Sequence, residues 1–225
     1  MNRHFLSCVI FILGFIMVTA TIIPRIDGNE FLKISIFFSS MCPGSKDFIT
    51  RHLYPTYKGL RSKIVIEWVL YQEESNPIIP NDDHPKFYCE HGPKECDFNR
   101  YIACALHQRK GQDRDVNFIN CVMLTFDFDK CLRELGYKRS QFQICIRNQG
   151  YSLLSYHMQK INRVKPKRLR YLPAVIYNDN DNENKDFLSL NKFLDTVCHQ
   201  LKAPLPDECH KRRDILEHPL YVDEE

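Results

Sequence analysis

The sequence predicts an α/β fold carrying a disulfide-rich helical insertion, and three observations lead there. Two apolar runs of strand length bracket a helical stretch, six cysteines crowd between residues 89 and 145, and a short strand precedes a closing amphipathic helix. Phe31 to Ser40 reads as a buried central strand, because its apolar residues run together rather than alternate. Ile49, Leu53, Tyr57 and Leu60 then recur at helical spacing. Pro55 falls inside that helix and should kink it, since it removes a backbone donor and clashes with the preceding turn. Lys63 to Tyr71 reads as a second buried strand, and strand, helix and strand together make a right-handed βαβ unit. Residues 77–84, rich in proline and acid, mark a linker into an insertion expected over about residues 77–165, helical from Lys86 onward. Tyr171 to Tyr177 predicts a third strand, Asn178 to Asn184 a turn, and Leu190, Phe193, Leu194, Val197 and Leu201 one face of a last helix. No internal repeat is present.

The first twenty residues stand apart. Arg3 precedes an apolar run from Phe5 to Val18, and Val18-Thr19-Ala20 supplies the small residues a signal peptidase accepts. Residues 1–20 are therefore expected to be a signal peptide, 21–209 the folded domain and 210–225 a charged tail. The apolar run is short for a membrane span, and no later stretch matches it, so no membrane association is expected once the leader is cleaved. Charge is nearly balanced, with 31 Lys and Arg against 28 Asp and Glu, which argues against nucleic acid or acidic lipid as a partner. Of the ten cysteines, Cys8 leaves with the leader. Export places the other nine in an oxidising compartment, where disulfides persist, and an odd number leaves one thiol over.

Cys42 is the residue expected to be left free. It sits where a strand ends and a helix begins, so its sulfur faces unpaired N–H groups and the positive end of the helix dipole. That placement favours the thiolate, the form that attacks disulfides. Pro43 is well tolerated in the first helical turn. A strand-Cys-Pro-x-x-helix arrangement is where thioredoxin-like enzymes keep their nucleophile, and Leu172-Pro173-Ala174 opens a late strand where such folds place a cis proline beside the reactive sulfur. The predicted core is accordingly thioredoxin-like. The remaining cysteines (Cys89, Cys96, Cys104, Cys121, Cys131, Cys145, Cys198 and Cys209) are expected to form disulfides. Cys198 and Cys209 stand apart and should pair with each other; the other six allow fifteen connectivities, among which the sequence does not choose.

A longer pattern is more specific. Cys89-Glu90-His91-Gly92-Pro93-Lys94-Glu95-Cys96-Asp97-Phe98-Asn99, with Cys104 five residues on, resembles the signature of the gamma-interferon-inducible lysosomal thiol reductase family. That signature reads Cys-Gln-His-Gly-x-x-Glu-Cys-x-x-Asn-x-x-x-x-Cys, and Glu90 replaces its Gln. The resemblance spans nearly the whole chain after the leader. It implies a thioredoxin-like core with a helical insertion, and reduction of protein disulfides in an acidic endosomal or extracellular setting. One departure matters. The family's site is Cys-x-x-Cys, whereas Ser45 here occupies the second position. A second sulfur would release the substrate by attacking the mixed disulfide, and a hydroxyl does not.

The expected function is thiol–disulfide oxidoreduction on protein disulfides through Cys42, with Ser45 as a non-resolving neighbour and Pro173 in the substrate rest. Release then falls to an external small-molecule or protein thiol, or to isomerisation of the substrate, or the covalent adduct stays trapped. The alternative, from another class, is a catalytically silent secreted binding module that keeps the fold. No cofactor is expected. Cys89, His91, Cys96 and Cys104 lack the short spacings of structural zinc sites, and in an exported chain disulfides are the better reading. His91 reads as a packing or hydrogen-bonding residue. Asp179, Asp181 and Glu183 alternate like a calcium loop, but the required glycine is absent and Leu190 stands where the bidentate Glu belongs. The basic run Arg163, Lys165, Lys167, Arg168 and Arg170 reads as a solvated face. No Asn-x-Ser/Thr sequon occurs, which tilts the expected location toward secretion, with lysosome or endosome as the alternative.

Overall fold

A computed structural model describes residues 31–74, 87–164, 169, 171–179 and 192–211. The expected signal peptide, the expected 77–84 linker, most of the basic run, the rest of the expected Asn/Asp turn and the tail beyond Lys211 lie outside the described residues. Among those described, strand β1 (Leu32–Phe38) is central in a three-stranded sheet. It pairs in parallel with β2 (Ile64–Leu70), from Leu32 opposite Ile64 to Phe38 opposite Leu70. On its other side it pairs antiparallel with a strand at Ala174–Tyr177, which begins just after Pro173 rather than at Tyr171.

The link from β1 to β2 is helical from Pro43 to Lys63. Helix α1 (Pro43–Asp47) passes through a π-helical turn at Phe48–Leu53 into α2 (Tyr54–Leu60). Here the kink expected at Pro55 takes a definite form. The ladder slips to five-residue steps just before the proline, with Tyr54 N–H donating to Ile49 O, so the wider turn precedes the residue that has no N–H to give. Two two-residue strands follow, β3 (Glu73–Glu74) and β4 (Phe87–Tyr88), paired antiparallel across the linker. The insertion supplies α3 (Pro93–His107), α4 (Gln112–Thr125), α5 (Phe128–Glu134), α6 (Arg139–Asn148) and α7 (Gly150–Arg163). The strand at Ala174–Tyr177 is then β5, and Phe193–Gln200 forms α8.

Alternation along the strands separates two cores. Ile34, Ile36, Phe38, Ile66, Trp68 and Val175 face the larger one, whereas Phe37, Val69, Ala174 and Ile176 face a smaller one closed by Met158 and Ile161 of α7. The larger core is continuous with the insertion, taking in Ile102, Val116, Phe118, Phe142 and Leu154. Insertion and sheet therefore share one apolar interior.

Among the described strands β2 lies at the sheet edge, where unpaired backbone groups invite another strand. Insertion side chains occupy several of them. Gln112 accepts from Ile66 N–H (2.7 Å) and donates to Ile64 O (2.9 Å), and Leu70 N–H donates to His157 Nδ1 (3.4 Å). On the smaller-core side, Glu67 is held by Lys160, Ser35 and Lys33. Burial alone would raise its pKa, but those hydrogen bonds outweigh burial and pull it down to about 2.

Candidate active site

Cys42 is the N-cap of α1, in an extended conformation, with its carbonyl accepting the first helical bond from Lys46 N–H (3.0 Å). The sequence builds this junction directly: β1 ends at Phe38, Ser39 to Met41 turn, and Pro43 at the first helical position starts the helix. Among the described residues Cys42 alone is an unpaired cysteine, and it is partly exposed. Its Sγ lies 3.7 Å from the carbonyl oxygen of Leu172, to which the thiol donates. The Leu172–Pro173 peptide bond is cis. Residues 130 apart in sequence thus meet at the sulfur, as the two sequence segments suggested separately.

Gly44 makes that meeting close. A side-chain carbon added there would stand 3.0 Å from Leu172 O and 3.7 Å from Pro173 Cδ. Only a residue without Cβ lets the helix start and the proline loop approach this nearly. Ser45, one residue later, is fully buried (0% exposed), and its Oγ accepts from Ser39 N–H at 3.3 Å. The hydroxyl therefore braces the turn before Cys42.

The signature segment grips the same turn from the insertion. Gly92 has φ +86°, a left-handed conformation suited to glycine, and leads into α3 with Pro93 at its first position. Glu95 (1% exposed) and Asn99 (0%) project from the first turns of α3 into the interior. Asn99 Oδ1 accepts from Ser40 N–H (3.1 Å) while its Nδ2 donates to Tyr71 O (2.8 Å), which spans the ends of β1 and β2. Glu95 accepts from Met41 N–H (3.2 Å), and its own carbonyl accepts from Ser40 Oγ (3.3 Å). His91 hydrogen-bonds Glu95 through both its ring and its backbone N–H. Sequence reasoning missed the roles of Gly44, Glu95 and Asn99, although two of them stand in the quoted signature. The spacing alone carries no hint of what they hold.

Among the described residues four disulfides are formed: Cys89–Cys96, Cys104–Cys145, Cys121–Cys131 and Cys198–Cys209. The first closes the signature turn, the second ties α3 to α6, the third α4 to the middle of α5, and the fourth fastens the chain after α8. Sulfurs so paired are not available to zinc, and among the described residues no group of three His, Cys, Asp or Glu is arranged to hold a metal.

A cleft of about 840 Å³ opens at Cys42, with Leu172, Tyr171, His91, Tyr88, Tyr71 and the acids Glu73 and Glu90 in its lining. Tyr88 and Tyr171 are well exposed. Tyr71 O–H donates to Glu73 (3.0 Å); burial first, then Glu73 and Glu90, push that phenol up to about 12, so it stays protonated. The cleft is an open trough beside a thiol, of a size for a peptide segment.

The sequence model of the family described as gamma interferon inducible lysosomal thiol reductase (GILT) matches residues 33–148, more than half of the chain. The chain belongs to the GILT family. Among its relatives, GILT-like protein 1 of Drosophila melanogaster is 28% identical over 202 residues, covering 80% of this chain and 79% of that one. A gamma-interferon-inducible lysosomal thiol reductase-like protein of Anopheles gambiae is 26% identical over 200 residues, covering 81% of each. Among solved structures, oxidised BdbD from Bacillus subtilis superposes with a TM-score of 0.53 at 13% identity, over 79% of this GILT-family chain and 90% of its own. That likeness shows the fold, and the core is thioredoxin-like with a disulfide-rich helical insertion, as expected. No helix among the described residues is long and apolar enough to cross a membrane.

Proposed function

We propose that this GILT-family chain is a thiol–disulfide oxidoreductase that acts on protein disulfides through Cys42 alone. The observation that carries the reading is the pairing of a free, partly exposed Cys42 with a buried Ser45 whose hydroxyl is committed to Ser39. The attacking sulfur stands ready in the cleft, and the place of a second sulfur is taken by a structural hydroxyl.

In the first step the Cys42 thiolate attacks one sulfur of the substrate disulfide. A Cys42–substrate bond forms, the substrate S–S bond breaks, and the other sulfur leaves as a thiol after gaining a proton. An external thiol then attacks the mixed disulfide and frees Cys42, leaving the substrate sulfur joined to that thiol. A second external thiol completes the two-electron reduction. Alternatively, the substrate's own freed thiol attacks, and the net result is isomerisation. The exposed tyrosines and the Leu172–Pro173 backbone form the rest for the substrate chain. Export, with secretion or an acidic lysosomal compartment as destination, fits the apolar leader and the relatives' names.

The test is capture. The full chain without its leader, mixed with a disulfide-bonded protein and quenched in acid, should show substrate attached at Cys42 by mass mapping. Cys42→Ser should show none, and adding glutathione should clear the adduct. Absence of any Cys42 adduct, with the four disulfides intact, would leave the silent binding module as the answer.

A further inference from the structure

His91 lines this cleft and Glu95 backs it from the interior, a unit that the reduction steps do not use. Glu95 Oε1 accepts from His91 Nδ1–H (2.8 Å) and from Met41 N–H (3.2 Å), while Oε2 accepts from His91 N–H (3.1 Å). The carboxylate is buried; the imidazole is 32% exposed and lines the cleft together with Cys42. The bond to Nδ1 fixes the tautomer, so Nε2 is the ring nitrogen with a lone pair to offer. The shared oxygen also ties the ring to the residue directly before the nucleophile.

Cys42 Sγ has its own partner in Leu172 O, so the ring is not needed to hold that sulfur. The sulfur lacking a partner is the outer one. A displaced disulfide leaves its departing sulfur about 2.05 Å beyond the attacked sulfur, which carries it out from Cys42 into the trough. We propose that His91, oriented by Glu95, is the general acid–base of this cleft. Its Nε2 takes the proton from the external thiol that attacks the Cys42 mixed disulfide, and then hands that proton to the thiolate displaced from the substrate in the next turnover. This rests on the reading of Cys42 as nucleophile and deepens it.

The chemistry explains why such a group belongs here. An ordinary thiol with a pKa of about 8.5 is almost wholly protonated in mildly acidic surroundings, and only its thiolate attacks. Without a second cysteine, the incoming thiol must lose its proton in the open cleft. A base fixed by a buried carboxylate is the arrangement that activates nucleophiles elsewhere. Glu73, Glu90, Tyr71, Tyr88 and Tyr171 share the cleft, but Tyr71 keeps its proton.

The experiment loads Cys42 with glutathione as a mixed disulfide and follows its discharge at about pH 6 by thiols of graded acidity, using quenched flow and mass detection. His91→Asn keeps an amide to meet Glu95 in place of Nδ1–H but removes Nε2; His91→Gln is the second variant. With a weakly acidic thiol such as 2-mercaptoethanol, discharge should slow by about a hundredfold in both. With a fluorinated thiophenol, already ionised at that pH, wild type and variants should discharge alike. An equal loss with every thiol, or no loss, would overturn the proposal. Failure of the wild type to form the Cys42 mixed disulfide would instead remove the parent reading, and this inference with it.

Discussion

At Cys42 three neighbours do three different things, and each can be changed alone. Ser45→Cys places a sulfur where the hydroxyl now braces Ser39. The Cys42 mixed disulfide should then discharge without external thiol, its lifetime falling on the order of tenfold or more, because an internal thiolate now competes for release. Stopped reactions analysed by mass would show Cys42 bonded to the introduced sulfur in place of the trapped substrate. Gly44→Ala pushes a methyl against Leu172 O and should slow adduct formation while leaving the Cys42 thiol present, as thiol titration would confirm. Asn99→Ala strands Ser40 N–H and Tyr71 O in the interior, at a cost of about 1–3 kcal/mol for each orphaned group in chemical denaturation. Cys42 and Pro173 were readable because each announces itself within a few residues: strand, Cys, Pro, helix; Leu, Pro, strand. Asn99 and Glu95 were not, because what they hold lies 28 to 59 residues earlier and only the packed insertion brings it near.

Among the elements, strands β1 and β2 and their parallel pairing follow from two nearly continuous apolar runs, although Lys33, Val65 and Glu67 leave part of one face wet. The helix between them was legible in its apolar spacing but not in its π-helical turn, since a missing N–H dictates that the ladder must yield near Pro55 without saying where. The two-residue strands β3 and β4 were invisible, because neither carries a periodic pattern, and the apolar run before β5 extends past its true start, across the proline. Helix α7 places His157 against the edge of β2, where burial first, then the neighbouring Lys160, lowers its pKa to about 4. Its folded value lies below the unfolded one of 6.5. The native state therefore refuses a proton that the unfolded chain accepts, and stability from this group is lost as pH falls from 6.5 through 4, by about 3 kcal/mol in all. His157→Gln, whose amide oxygen can still accept from Leu70, should remove that slope in denaturation curves across the window.

The whole molecule adds a counterweight. Asp115, near the middle of the insertion, is raised to about 6, chiefly by burial, against the opposing hydrogen bond from Tyr137 (2.8 Å). A raised acid acts in the opposite sense: the native state holds its proton longer, so stability falls as pH rises from 3.8 through 6. Between pH 4 and 6 the two groups oppose each other. Asp115→Asn should unmask acid sensitivity, and His157→Gln should make the chain more stable on acidification, with midpoints read from thermal melts at each pH. Both transitions should stay single, because sheet and insertion share one interior. The expectation of an insertion stapled by internal disulfides described its covalent bonds well, but composition alone did not reveal that its side chains finish the sheet. Gln112, straddling Ile64 and Ile66, acts as a stopper on an adhesive border. Gln112→Ala should leave the thiol chemistry untouched yet shorten the protein's shelf life. Light scattering would then rise on storage, as chains add strand to strand along the uncovered edge of β2.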